Sequence, residues 1–147
     1  MDLPLLVSPD KLRRLHDELS ATAATLGQIA EQAEQVGLDG GWQGGAQRSF
    51  SASTLSAAGR CRELSRRLAS DAARVGRLEE QLAAELAVLH RLEHEVLGAL
   101  HRLAVRALDD VTGEARSLYD RVCPRLPAHG SPGWRDVASS LLRGGWL

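Results

Sequence analysis

Mostly apolar side chains recur at alternating steps of three and four residues in the first part of the chain. This spacing keeps them on one face of an α-helix. The row consists of Leu12, Leu15, Leu19, Thr22, Leu26, Ile29, Ala33 and Val36. Ser8 and Pro9 suit the N-terminal end of a helix, and Gly37 suits its C-terminal end. The pattern predicts a first helix over about residues 9–36.

A second, longer row follows a glycine-rich segment and predicts a long helix over about residues 46–108. Its members are Phe50, Thr54, Ala57, Cys61, Leu64, Leu68, Val75, Leu78, Leu82, Leu89, Leu92, Val96 and Leu103. Gly76 and Gly98 lie inside this pattern. Because a glycine within a helix costs only ~1 kcal/mol relative to alanine, we favour one continuous helix over a break at either glycine.

The two rows predict an antiparallel helical hairpin in which one face of each helix meets the other. The first helix can cover the second only as far as about Arg74. Beyond that point the apolar stripe broadens, which indicates more than one packing neighbour. We therefore predict a four-helix bundle formed on dimerisation, with a partner interface at Leu82, Leu86, Leu89, Leu97, Leu100 and Leu103.

The remainder of the chain predicts two shorter helices. A further helical segment is expected over about residues 112–122, which completes a hairpin domain over residues 1–123. Residues 124–147 begin as a linker rich in proline and glycine and end in a short helix from Ser131 to about Arg143. Trp134 and Trp146 in this last segment need a host surface, either in this protein or in another one.

Composition supports an all-α fold. The 147 residues are rich in alanine, leucine and arginine, which favour helices, and only 3% are aromatic. The net charge of −1 gives no overall attraction to nucleic acid. The N-terminal residues lack the basic region of a signal peptide, and we expect no membrane span. Cys61 and Cys123 have no metal or redox spacing and are expected to be free thiols.

The segment 37–45 predicts the turn between the two long helices. With the start of the second helix it contains the pattern Trp42-x-Gly44-x-Ala46-x-x-x-Phe50. This pattern, set between two amphipathic helices, resembles the WXG helical-hairpin family, the small substrates of type VII secretion related to the early secreted antigenic target. The resemblance implies that Trp42 and Gly44 form the bend. Ala46 and Phe50 are expected to face Val36, with Ala46 leaving room that Phe50 fills.

The resemblance covers about residues 8–85 and implies a protein exported by type VII secretion without a cleaved signal peptide. Its expected partners are a second copy or another WXG-type protein, together with a secretion ATPase or a toxin or other effector. The family's export signal, a tyrosine followed four residues later by an acid, is not met, since Cys123 follows Tyr119. A partner chain can supply that signal. The alternative is a cytoplasmic adaptor, chaperone or targeting module for a longer effector or toxin.

One segment of the long helix carries the residues His90-x-x-Glu93-His94, the spacing of an inverted zinc-peptidase motif. His101 lies close to the same helix face, and Glu114 is the nearest acidic residue that could complete a catalytic zinc site. Because His90 and His94 point away from the apolar row, we interpret them as part of a solvated helix face. We expect no catalytic activity, cofactor or dedicated metal site.

Overall fold

A computed structural model describes residues 8–38, 41, 43–109 and 113–147. Within these ranges the chain forms four α-helices and no strand: α1 (Pro9–Leu38), α2 (Gly45–Asp109), α3 (Glu114–Val122) and α4 (Trp134–Arg143). A single 3-10 turn over Cys123–Arg125 follows α3. The predicted all-α class and the long second helix are confirmed. Helix α2 continues through Gly76 and Gly98 without a break.

Local chemistry at the start of each long helix explains where it begins. The Ser8 hydroxyl accepts a hydrogen bond from the Lys11 backbone N–H at 3.4 Å, as expected of a residue that precedes a helix. Helix α2 begins after Gly44, whose φ of 124° is difficult for any residue with a Cβ atom. The Arg48 N–H then donates to the Gly44 carbonyl at 3.2 Å.

The chain divides into two compact units, Met1–Leu82 and Ala83–Leu147, and α2 contributes residues to both. In the first unit, α1 packs against the first part of α2. The Ser65 hydroxyl donates to the Ala23 carbonyl at 2.7 Å, and the Arg13 guanidinium lies 2.6 Å from the Glu79 carboxylate. In these contacts a higher residue number on α1 is paired with a lower one on α2, so the two segments are antiparallel.

The second unit has a core of its own, made by α3, α4 and the last part of α2. Its buried residues are Val96, Ala99, Leu100, Leu103, Ala115, Val122, Trp134, Ala138 and Leu141. The indole N–H of Trp134 donates to the Ala128 carbonyl at 3.0 Å. The guanidinium of Arg106 lies over the Trp146 ring, 5.6 Å from its centroid. The host surface for both tryptophans is therefore in this protein, and residues 124–147 pack onto α2.

Candidate functional site

The two helices of the first unit meet through small residues. The buried positions are Ala23, Ala30 and Gly37 on α1 and Ala58 and Ala72 on the part of α2 that belongs to this unit. A Cβ atom on Gly76 would lie only 3.3 Å from Nδ1 of His16, which itself lies 2.8 Å from the Ala72 carbonyl oxygen. Small side chains let the two backbones approach closely, so dispersion contacts replace leucine interdigitation here.

This packing covers the two leucine rows only in part. Leu12, Leu19 and Leu26 on α1 and Leu68 and Val75 on α2 are half-buried. Leu15, Ile29 and Val36 on α1 all remain exposed. On α2, Leu64 and Leu78 keep 49% and 54% of their surface exposed. On both helices, the residues of the leucine row directly precede the small buried residues in sequence. The two sets of side chains therefore point in directions about 100° apart around the helix axis.

The rotation places both leucine rows on the same side of the first unit. Because the two helices are antiparallel and right-handed, the residues that directly precede the contact residues lie on the same side of the helix pair in both helices. The result is a single apolar surface, which we call the leucine face. Its exposed apolar members are Leu15, Ile29, Val36, Phe50, Leu64 and Leu78. The opposite side carries exposed polar residues such as Gln28, Gln35 and Arg66.

The turn motif is described only in part. Trp42 lies outside the described residues. Gly44 has the positive φ that a bend favours, whereas Ala46 and Phe50 lie in the first two turns of α2 and are both exposed. Phe50 is 45% exposed and lies on the leucine face together with Val36. That Phe50 fills the space left by Ala46 stays a prediction.

The residues predicted as a partner interface separate into covered and uncovered ones. Leu89, Leu100 and Leu103 are buried within the chain, and the last two belong to the core of the second unit. Leu82 and Leu86 are half-buried, and Leu97 is exposed. Helices α3 and α4 pack onto the part of the stripe that holds Leu100 and Leu103, whereas Leu82, Leu86 and Leu97 keep accessible surface.

The His90-x-x-Glu93-His94 segment contains an unexpected buried carboxylate. Glu93 is only 8% exposed. One carboxylate oxygen lies 2.9 Å from Nδ1 of His129, and the other accepts the Gly130 N–H at 3.3 Å. The His129 ring stacks on His90 with 4.7 Å between centroids. Glu93 thereby joins the loop before α4 to helix α2.

Hydrogen bonding to His129 lowers the pKa of Glu93, and the Gly130 N–H adds to this effect against the opposing cost of burial. Sequence reasoning treated Glu93 only as part of the zinc-peptidase spacing and did not single out His129. The available signal was that Glu93 lies between Leu89 and Val96 on the apolar stripe, where a carboxylate needs a partner.

Within the described ranges, no group of three or more potential metal ligands converges. His94 and His101 are exposed on α2, and Glu114 is exposed at the start of α3. The geometry at Glu93 instead holds a loop in place, which is a structural role.

Glu93→Gln is expected to lower the thermal midpoint at neutral pH and to make stability less sensitive to acid. A carboxylate with a lowered folded-state pKa stabilises the fold above its unfolded value of about 4.3, and this stabilisation is lost as the pH falls through the folded value. Circular dichroism melts between about pH 6 and pH 3 would measure both effects. Glu95→Gln, the same change at an exposed neighbour, is the control. Equal acid sensitivity of Glu93→Gln and the wild type would contradict this role.

No protein-family model matches the chain, and no match is found among curated proteins or among solved structures. Among the described residues, none of the helices is both long and apolar enough to cross a membrane.

Proposed function

We propose that the protein is a WXG-type helical hairpin that acts by protein–protein association, as a type VII secretion substrate or as the co-secreted partner of one. Two features support this proposal. One is the Trp42-x-Gly44 sequence between two amphipathic helices, and the other is the leucine face of the first unit.

The leucine face is the observation that carries the proposal. Two antiparallel helices bury only the sides they turn towards each other. Here the buried positions on those sides are small residues, and Leu15, Ile29, Val36, Leu64 and Leu78 keep 43–56% of their surface exposed. Burying a leucine is worth ~1.5–3 kcal/mol. A second two-helix unit presenting a similar face would cover them and produce a four-helix bundle.

A cytoplasmic adaptor or chaperone is the second candidate function. The observation that favours it is the second unit, which has its own core and lies mostly beyond the segment that resembles the WXG family. Such a unit provides a second surface through which the chain can hold an effector while the first unit associates with a partner.

Export is the property that separates these two functions. We expect an epitope-tagged protein in its native host to reach the culture supernatant and to remain in the cell when the type VII ATPase gene is deleted. Trp42→Ala is expected to reduce export strongly while leaving helix content nearly intact, because the sequence pattern puts Trp42 between the two amphipathic rows rather than in either of them. Gln43→Ala at the exposed neighbouring position is the matched control.

Retention of the wild-type protein in the cell, together with intact self-association, would support the adaptor. Export that persists without the ATPase would overturn the type VII assignment.

A further inference from the structure

A cleft of about 580 Å³ lies between α3 and α4 in the second unit. Its α3 wall comes from Leu118, Arg121 and Val122, continued by Arg125 in the following turn. These positions are spaced by three and four residues and so share one side of the helix. The cleft is separate from the leucine face, which belongs to the first unit.

The floor of the cleft is apolar and recessed. Val122 is buried, and Leu118 and Val137 are half-buried on either side of it. The volume is within the range of about 300–1,000 Å³ that ligand-binding clefts have. Because the apolar atoms lie between two helices rather than on a protruding edge, they can receive a side chain from outside.

The rim of the cleft is predominantly basic. Arg121 and Arg125 lie on the α3 side and Arg143 on the α4 side, against one carboxylate, that of Asp136. Within the described part of the chain, none of these three guanidinium groups has a hydrogen bond or an ion pair. In contrast, Arg135 on α4 lies 2.6 Å from the Glu85 carboxylate.

We propose that this cleft binds an acidic amphipathic helix of a partner protein. Apolar side chains of that helix would lie on the Val122 floor, and its aspartate or glutamate residues would pair with Arg121 and Arg125 on one side and with Arg143 on the other. An apolar floor between two helices, flanked by cations, is complementary to a helix with an apolar stripe and acidic flanks. Guanidinium groups pair with carboxylates in bidentate geometry, which suits the aspartate and glutamate side chains of such a helix.

The test uses the full chain and a fluorescein-labelled peptide of repeating Leu-Glu-Glu-Leu units, followed by fluorescence anisotropy. We expect saturable binding that weakens as sodium chloride is raised from about 0.05 to 0.5 M, because surface ion pairs are screened. The double variant Arg121→Glu, Arg125→Glu is expected to bind at least about tenfold more weakly. Circular dichroism would verify that it stays folded, since both positions are exposed.

The matched control is Arg91→Glu, Arg102→Glu, which makes the same charge change at exposed positions of α2 away from the cleft. Its affinity is expected to stay within about twofold of the wild type. The proposal is overturned if both double variants bind alike, or if the peptide with lysine in place of glutamate binds as well. Equal binding of a peptide with serine in place of leucine would also overturn it. Binding to phosphatidylglycerol vesicles without affinity for the peptide would show that the basic rim serves a membrane instead.

Discussion

The protein is expected to form a dimer, and replacing Leu64 and Leu78 by glutamate is expected to leave it a monomer. Both side chains lie on the leucine face, and about half of each remains exposed in the isolated chain. Covering that remaining half in a four-helix bundle is worth ~1 kcal/mol per side chain. In a symmetric dimer each substitution occurs twice, so the double variant loses ~4 kcal/mol of association free energy.

A loss of ~4 kcal/mol corresponds to a dissociation constant raised about a thousandfold. Size-exclusion chromatography with light scattering at micromolar concentration would measure it. The wild type is expected at twice the chain mass of 15.8 kDa and the variant at the chain mass. A charge introduced on an exposed side of a helix leaves the contact through Ala58 and Ala72 untouched, so helix content should be unchanged.

The control is Val88→Glu, Val105→Glu. These two side chains are also exposed, by 51% and 53%, and lie on α2 in the second unit. The control is expected to remain dimeric. If only the control variant dissociates, the dimer interface lies in the second unit and not on the leucine face. If the wild type is a monomer, the prediction of self-association is wrong.

The helix boundaries were readily predicted because they depend on local chemistry. Helix α1 was expected over residues 9–36 and occupies Pro9–Leu38, and α2 was expected over 46–108 and occupies Gly45–Asp109. Periodicity and a serine before a helix act within a few residues along the chain. Gly37, which was expected to end α1, lies inside the helix instead and packs against Leu55 and Thr54 of α2. The same local signals indicated that neither Gly76 nor Gly98 interrupts α2.

The packing was not predicted, because hydrophobic periodicity identifies the most apolar row of a helix rather than the row that touches a neighbour. In α1 the row through Ala23, Ala30 and Gly37 has the same spacing as the leucine row one residue earlier. Close backbone approach at alanine and glycine favours that row, and a hydrophobicity pattern assigns it little weight. The sequence did not predict whether α4 packs onto α2 or onto another protein. Periodicity reports on neighbours within a helix, whereas Trp134 and the α2 residues of the core are far apart in sequence.

Two adjacent leucines on α4 provide the strongest test of the packing of α4 onto α2. Leu141 is fully buried in the core of the second unit, whereas Leu142 is 62% exposed. Leu141→Ala removes buried methyl groups and leaves a cavity, which typically costs 2–5 kcal/mol, so we expect a loss of about 3 kcal/mol. Leu142→Ala carries the same chemical change at an exposed position and is expected to stay within about 0.5 kcal/mol of the wild type.

Urea unfolding monitored by tryptophan fluorescence reports mainly on the second unit, because Trp134 and Trp146 lie in it and Trp42 is the only other tryptophan. The expected result for Leu141→Ala is a fluorescence transition at lower urea concentration. Far-UV circular dichroism should lose only part of its helical signal in that transition, because the first unit has its own contacts through Ala23, Ser65 and Ala72. Equal midpoints for the two alanine variants would mean that α4 does not pack onto α2 in solution. The apolar stripe at Val96, Leu100 and Leu103 would then be free to meet a partner, as the sequence alone predicted for its two leucines.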